Sequence, residues 1–135
     1  MRQTIKSEVH PLQSETDVVQ ARQLVRKWAL EAGLGLVDQT KIITAASELA
    51  RNTIIYGGGG TMDLVLIEQN GRKGLSLCFD DKGPGIADIE QALKDGYTSG
   101  SGMGLGLGGS KRLANEFDII SEVGVGTRIT ITRWK

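Results

Sequence analysis

Side chains that build staples and metal cages are almost missing from these 135 residues, which contain one cysteine, one histidine and two prolines. A single Cys78 rules out an internal disulfide, and with one histidine beside it no zinc framework can be assembled. Cys78 lies in the strand-like run LSLCF and reads as a small buried apolar residue, not a reactive thiol. Charge of one sign is missing too: 16 basic and 16 acidic side chains cancel, so nothing advertises nucleic acid or an anionic membrane as partner. Long hydrophobic runs are absent. The stretch MDLVLI is far too short to span a bilayer, and MRQTIKSEVH lacks the apolar centre of a signal peptide, so a cytoplasmic protein is expected. The length fits a single domain over residues 1–135 with one core.

What the chain does have is glycine, 19 in all. Around it, hydrophobic periodicity predicts a strand near Thr4–Val9 and then a helix to about Ala32, opened by Ser14 with Asp17 three residues on. Val18, Ala21, Leu24, Val25, Trp28 and Ala29 recur at three and four, one apolar stripe. A second helix is expected after Asp38, stopped by the glycines 57–60. Two strands follow, TMDLVLIEQ and KGLSLCFDD, turning at Asn70-Gly71. A short helix, a glycine loop, a helix SKRLANEF, and the strands EFDIISEV and TRITITRW with turns at Gly124 and Gly126 complete an open sheet backed by helices.

Glu48 and Asn52 are four apart on the second helix and share a face. An amide oxygen is a hard, neutral ligand suited to magnesium, and a carboxylate one turn back can orient or deprotonate a nucleophile. A solvated polar pair with Arg51 exposed alongside is the alternative.

The stretch FDDKGPGI ends a strand on Asp81, with Gly83 and Gly85 flanking Pro84 so that the loop can bend close to a flat ligand. A carboxylate there accepts from an exocyclic amine, which adenine carries and guanine replaces by a carbonyl. Downstream, Gly102, Gly104, Gly106 and Gly108 alternate with Met103, Leu105 and Leu107, an arrangement whose free amides suit phosphates. A flexible glycine loop without a ligand is the competing reading. A P-loop fails on spacing, and a dinucleotide fingerprint would have to follow the first strand of a βαβ unit, which this one does not.

ELARN, DDKGPGI, GSGMGLGLGG and GVGTRITI stand in the order and approximate spacing of the GHKL superfamily motifs, which the chain resembles over nearly its whole length. The resemblance implies a Bergerat-type ATP-binding fold, an α/β (α+β two-layer) sandwich with a mixed, mostly antiparallel sheet and helices on one face. It also implies residue roles: Asn52 as ligand of Mg2+, Glu48 as catalytic base, Asp81 as reader of adenine with Gly83 and Gly85 as its loop. Gly102, Gly104, Leu105, Gly106, Leu107 and Gly108 would form a phosphate lid, and Thr127 a second polar contact near the base. Sensor histidine kinases need a phosphoacceptor histidine on a dimerising hairpin, whereas His10 precedes Pro11 near the end of a strand and reads as a surface or edge residue. Through DVVQARQLVRKWALEAGLGLVDQTKIITAASELARNT and GLGLGGSKRL the chain is most similar to the RsbT-type switch-protein serine/threonine kinases, save that Gly108-Gly109 stands where a proline is expected. That type implies ATP-dependent phosphorylation of a STAS-domain partner in a stressosome or sigma-factor pathway, and activation of a PP2C-type phosphatase by binding. An ATP-gated binding module, such as an anti-sigma factor, is the alternative from another class.

Overall fold

The computed structural model describes residues 1–94 and 106–135, so Gly102, Gly104 and Leu105 lie outside the described residues. In chain order come β1 (Arg2–Leu12), α1 (Glu15–Glu31), α2 (Leu36–Ile55), β2 (Gly60–Gln69), β3 (Arg72–Asp81), α3 (Ile89–Ala92), α4 (Gly106–Arg112), β4 (Glu116–Glu122) and β5 (Gly126–Trp134). The strands form one sheet in the order β1-β2-β3-β5-β4. Every neighbouring pair is antiparallel, so the expected two-layer α+β sandwich is present without a parallel pairing among the described residues.

Local chemistry explains the elements. Asp17 accepts the backbone amides of Gln13 at 2.8 Å and Ser14 at 3.2 Å, closing the chain's entry into α1. Val18, Ala21, Val25, Trp28 and Ala29 are the buried stripe of that helix. Lys6 roofs the Trp28 ring at 4.2 Å and pairs with Glu31 at 2.6 Å. Helix α2 starts at Leu36, earlier than expected, because Gly35 supplies the extended N-cap. Asp38 therefore sits in its first turn, where it accepts Arg133 Nη2 at 2.7 Å. Asn70 and Gly71 take φ of 54° and 78°, the left-handed pair a tight two-residue hairpin requires.

Alternation does the rest. Met62, Leu64 and Leu66 of β2, Leu75, Leu77 and Phe79 of β3, and Ile129 and Ile131 of β5 point to the helices and form the core with Ile42 and Leu49 of α2. Each such side chain withdrawn from water is worth about 1.5–3 kcal/mol. Cys78 is buried on the opposite face of the sheet, where Arg128 Nε donates to its Sγ at 3.1 Å.

Two expectations need correction. His10 stands on the edge strand, as expected, but is not at the surface: the start of α1 buries that end of β1, and the His10 Nε2 lies 3.0 Å from the Asp17 carbonyl oxygen. The helix expected over SKRLANEF instead spans Gly106–Arg112, and β4 already begins at Glu116. Tertiary contact overrides propensity here. A Cβ on Gly108 would run into the Leu93 carbonyl, so α4 nests against the end of α3 only because that position is glycine. The buried Ser110 hydroxyl donates back to the Gly106 carbonyl at 3.1 Å. At the other end Asn115 accepts the Trp134 amide at 2.7 Å, which pulls the chain out of the helix and onto β5.

Candidate functional site

The sheet register places Gly60, Asp81 and Thr127 in one row across β2, β3 and β5. Asp81 ends β3, and its Oδ1 accepts the Gly83 amide at 2.9 Å. Its other carboxylate oxygen has no protein hydrogen-bond partner among the described residues. Gly57, just past the end of α2, lies so close that a Cβ there would penetrate the Asp81 carboxyl, and a Cβ on Gly83 would fall 2.7 Å from the Gly57 Cα. Two chain segments thus meet around one carboxylate at two positions without side chains. Gly85 takes φ 78°, and a Cβ on it would strike the Glu122 carbonyl. The loop is pinned there by the Gly124 amide donating to the Pro84 carbonyl at 2.9 Å and the Ile86 amide donating to Ser121 Oγ at 2.8 Å.

Between this loop, α2, α4 and β5 lies a cavity of about 130 Å³. Leu49, Phe79, Ile86 and Ile129 give it apolar walls, and Asp81 and Thr127 supply polar groups at one end. Glu48 and Asn52 of α2 and its C-cap residue Tyr56, spaced by four, all line it, as helical periodicity predicts. The Glu48 carboxylate is half-buried and accepts the Gly106 amide at 3.4 Å, which ties α2 to the first residue of α4. Glu48 also borders a second groove, on the α1–α2 surface, with Arg22, Thr44, Ser47 and Arg51. Arg51 is half-buried there and lies 3.8 Å from Glu15.

Of the residues singled out from the sequence, Glu48, Asn52, Asp81, Gly85, Gly106, Leu107 and Thr127 line the cavity together. Gly83 stands behind Asp81 and Gly108 behind Leu107, neither forming the wall. Two contributors escaped the sequence reading. The sequence marks Gly57 only as a helix stop, because its closeness to Asp81 depends on packing between residues 24 apart in the chain. Ser121 faces Thr127 across the β4–β5 pair, a placement that the turn glycines Gly124 and Gly126 do allow to be counted out.

The donor set fits an adenine nucleotide. A carboxylate oxygen left open at the end of an apolar slot suits an exocyclic amine, and the slot's walls suit a flat ring. Among the described residues no group of three or more His, Cys, Asp and Glu side chains could hold a metal. Asn52 alone fits a magnesium ion that draws its remaining oxygens from phosphates and water.

Comparison with known proteins agrees with this geometry. Residues 37–135 match the family of histidine kinase-, DNA gyrase B- and HSP90-like ATPases, and the chain belongs to it. Within that family it is 46% identical over 123 residues to the serine/threonine-protein kinase RsbT of Bacillus subtilis (strain 168), covering 91% of this chain and 92% of that one. It is 35% identical over 118 residues to an anti-sigma F factor of Clostridium beijerinckii, covering 84% of this chain and 82% of that protein. The fold matches the crystal structure of the RsbU and RsbW domains of a Mycobacterium tuberculosis protein with a TM-score of 0.64 at 19% identity, over 96% of this chain. This chain spans 33% of that longer one.

Proposed function

We propose that the protein is an ATP- and magnesium-dependent serine/threonine kinase that phosphorylates a STAS-domain partner in a cytoplasmic partner-switching pathway controlling a sigma factor, and that it activates a PP2C-type phosphatase by binding. The observation that carries the kinase reading is the position of Glu48, on the wall shared by the cavity and the α1–α2 groove. A partner's hydroxyl arriving through the groove meets a carboxylate able to orient it and take its proton, while the nucleotide lies on the far side. Similarity to RsbT, a serine/threonine-protein kinase, supports the same reading.

In this account Asp81 accepts from the amine of adenine and Thr127 assists. Asn52 holds magnesium, which neutralises charge on the phosphates. Gly106 and Leu107, which line the cavity, and Gly108 behind them serve the phosphates together with Gly102, Gly104 and Leu105, which lie outside the described residues. Transfer of a phosphoryl group through a loose transition state asks mainly for positioning and charge neutralisation, which rigid placement on α2 supplies.

Similarity to anti-sigma F factors supports a second reading, a nucleotide-gated binder of a sigma factor without transfer. Intact-mass measurement of a STAS-domain protein after incubation with Mg-ATP and this chain separates the two. Catalysis adds the mass of one phosphoryl group to the partner, and an unchanged mass with nucleotide-dependent binding establishes the gated module.

A further inference from the structure

Three hydrogen bonds converge on Ser121 Oγ. The Ile86 amide lies 2.8 Å away, the Gly126 carbonyl oxygen 3.2 Å and the Thr127 hydroxyl 2.8 Å. A serine hydroxyl has one proton and two lone pairs. An amide can only donate and a carbonyl can only accept, so the Ser121 proton goes to Gly126. The Thr127 hydroxyl must then donate to Ser121, which fills the serine's second lone pair. Thr127, only 9% exposed and a wall of the cavity, is left with no proton to offer a ligand.

We infer that Ser121 is a specificity-determining residue, which locks Thr127 as an acceptor so that the pocket presents two adjacent acceptors, Asp81 and Thr127, to the base. This inference rests on the adenine reading of the cavity. Asp81 and Thr127 are directly opposed across β3 and β5, close enough for their side chains to act on one group. An exocyclic amine, with two N–H donors and no carbonyl, satisfies such a pair. A carbonyl at the same position meets lone pairs from both. Were Thr127 free to turn its hydroxyl, it would donate to that carbonyl and weaken the discrimination that Asp81 provides.

The test is the ratio of dissociation constants for ATP and inosine triphosphate, which replaces the amine by a carbonyl, measured by equilibrium titration without any partner. In Ser121→Ala the Thr127 hydroxyl regains its freedom, and the preference for ATP should fall about three- to tenfold, the scale of one neutral hydrogen bond. Thr127→Val should lower the preference alone, and adding Ser121→Ala to it should change the ratio no further. If Ser121 served only to hold the Ile86 loop, both nucleotides would weaken equally and the ratio would stay at the parental value, which overturns the inference. A ratio that still falls in the Thr127→Val background overturns it too. Should Ser121→Ala not fold, Thr127→Val decides, because an unchanged or increased preference for ATP contradicts an acceptor at that position. A parent protein that binds both nucleotides equally would instead refute the adenine reading itself.

Discussion

At the scale of single residues the site is organised around carboxylates whose neighbours lack side chains. In Asp81→Asn the amide oxygen can keep the Gly83 bond while the outer oxygen becomes an NH2, so the loop should survive and recognition should not. Loss of one charge-assisted hydrogen bond is worth about 1.5–3 kcal/mol, and ATP titration should show affinity reduced roughly ten- to a hundredfold. Gly57→Ala should produce a similar loss while leaving the Asp81 side chain chemically intact, since its Cβ displaces the Asp81 carboxyl. Glu48→Gln keeps the shape and the bond from Gly106 yet cannot take a proton, so ATP should still bind while partner phosphorylation falls by about 10²–10⁴. Asn52→Ala should instead weaken magnesium-dependent ATP binding and transfer together. Glu48 and Asn52 were legible because helical spacing alone puts them on one face. Gly57 and the buried His10 were not, because each owes its environment to an element distant in sequence or folded over it.

At the scale of elements, short glycine-rich pieces are held in place by contacts that tolerate no Cβ. Gly108→Ala improves intrinsic helix propensity by about 1 kcal/mol, yet it drives a methyl into the Leu93 carbonyl where α4 meets α3. Gly85→Ala combines a left-handed backbone, at about 1–2 kcal/mol for an L-residue, with collision against Glu122. Both variants should lower Tm, by roughly 5–10 °C in a thermal scan, whereas Gly58→Ala, with nothing within 4 Å of its Cβ, should suffer only from its φ of 75°. The β2–β3 hairpin could be read from Asn70-Gly71 because its turn chemistry is local. The start of α4 could not, since glycine reads as loop and only packing against α3 makes it helical.

At the scale of the whole molecule, the end of the sheet opposite the cavity is fastened by one tryptophan. Trp134 stacks beneath Arg2 at 5.0 Å, its Nε1–H donates to Glu116 at 2.7 Å, and Arg2 pairs with the same carboxylate at 3.0 Å. The indole N–H bond, aided by Arg2 and opposed by partial burial, holds the Glu116 carboxyl below its ordinary value. Its folded-state pKa being depressed, the contribution to stability is complete at neutral pH and is lost as pH falls below 4.5 and through the lowered value. Urea midpoints of the parent and Glu116→Gln should therefore differ at pH 7 and converge in acid. The same arrangement has an optical consequence. Trp134 pairs with Gly74 near the far end of β3 from Asp81, roughly 24 Å away along the strand, and Trp28 lies under Lys6 outside the cavity walls. Among the described residues, Tyr56 is the tyrosine that lines the cavity. Emission excited selectively from tryptophan therefore follows loss of the fold and stays silent to occupancy of the cavity, giving each glycine variant an internal control that distinguishes a broken scaffold from a pocket that has lost its ligand.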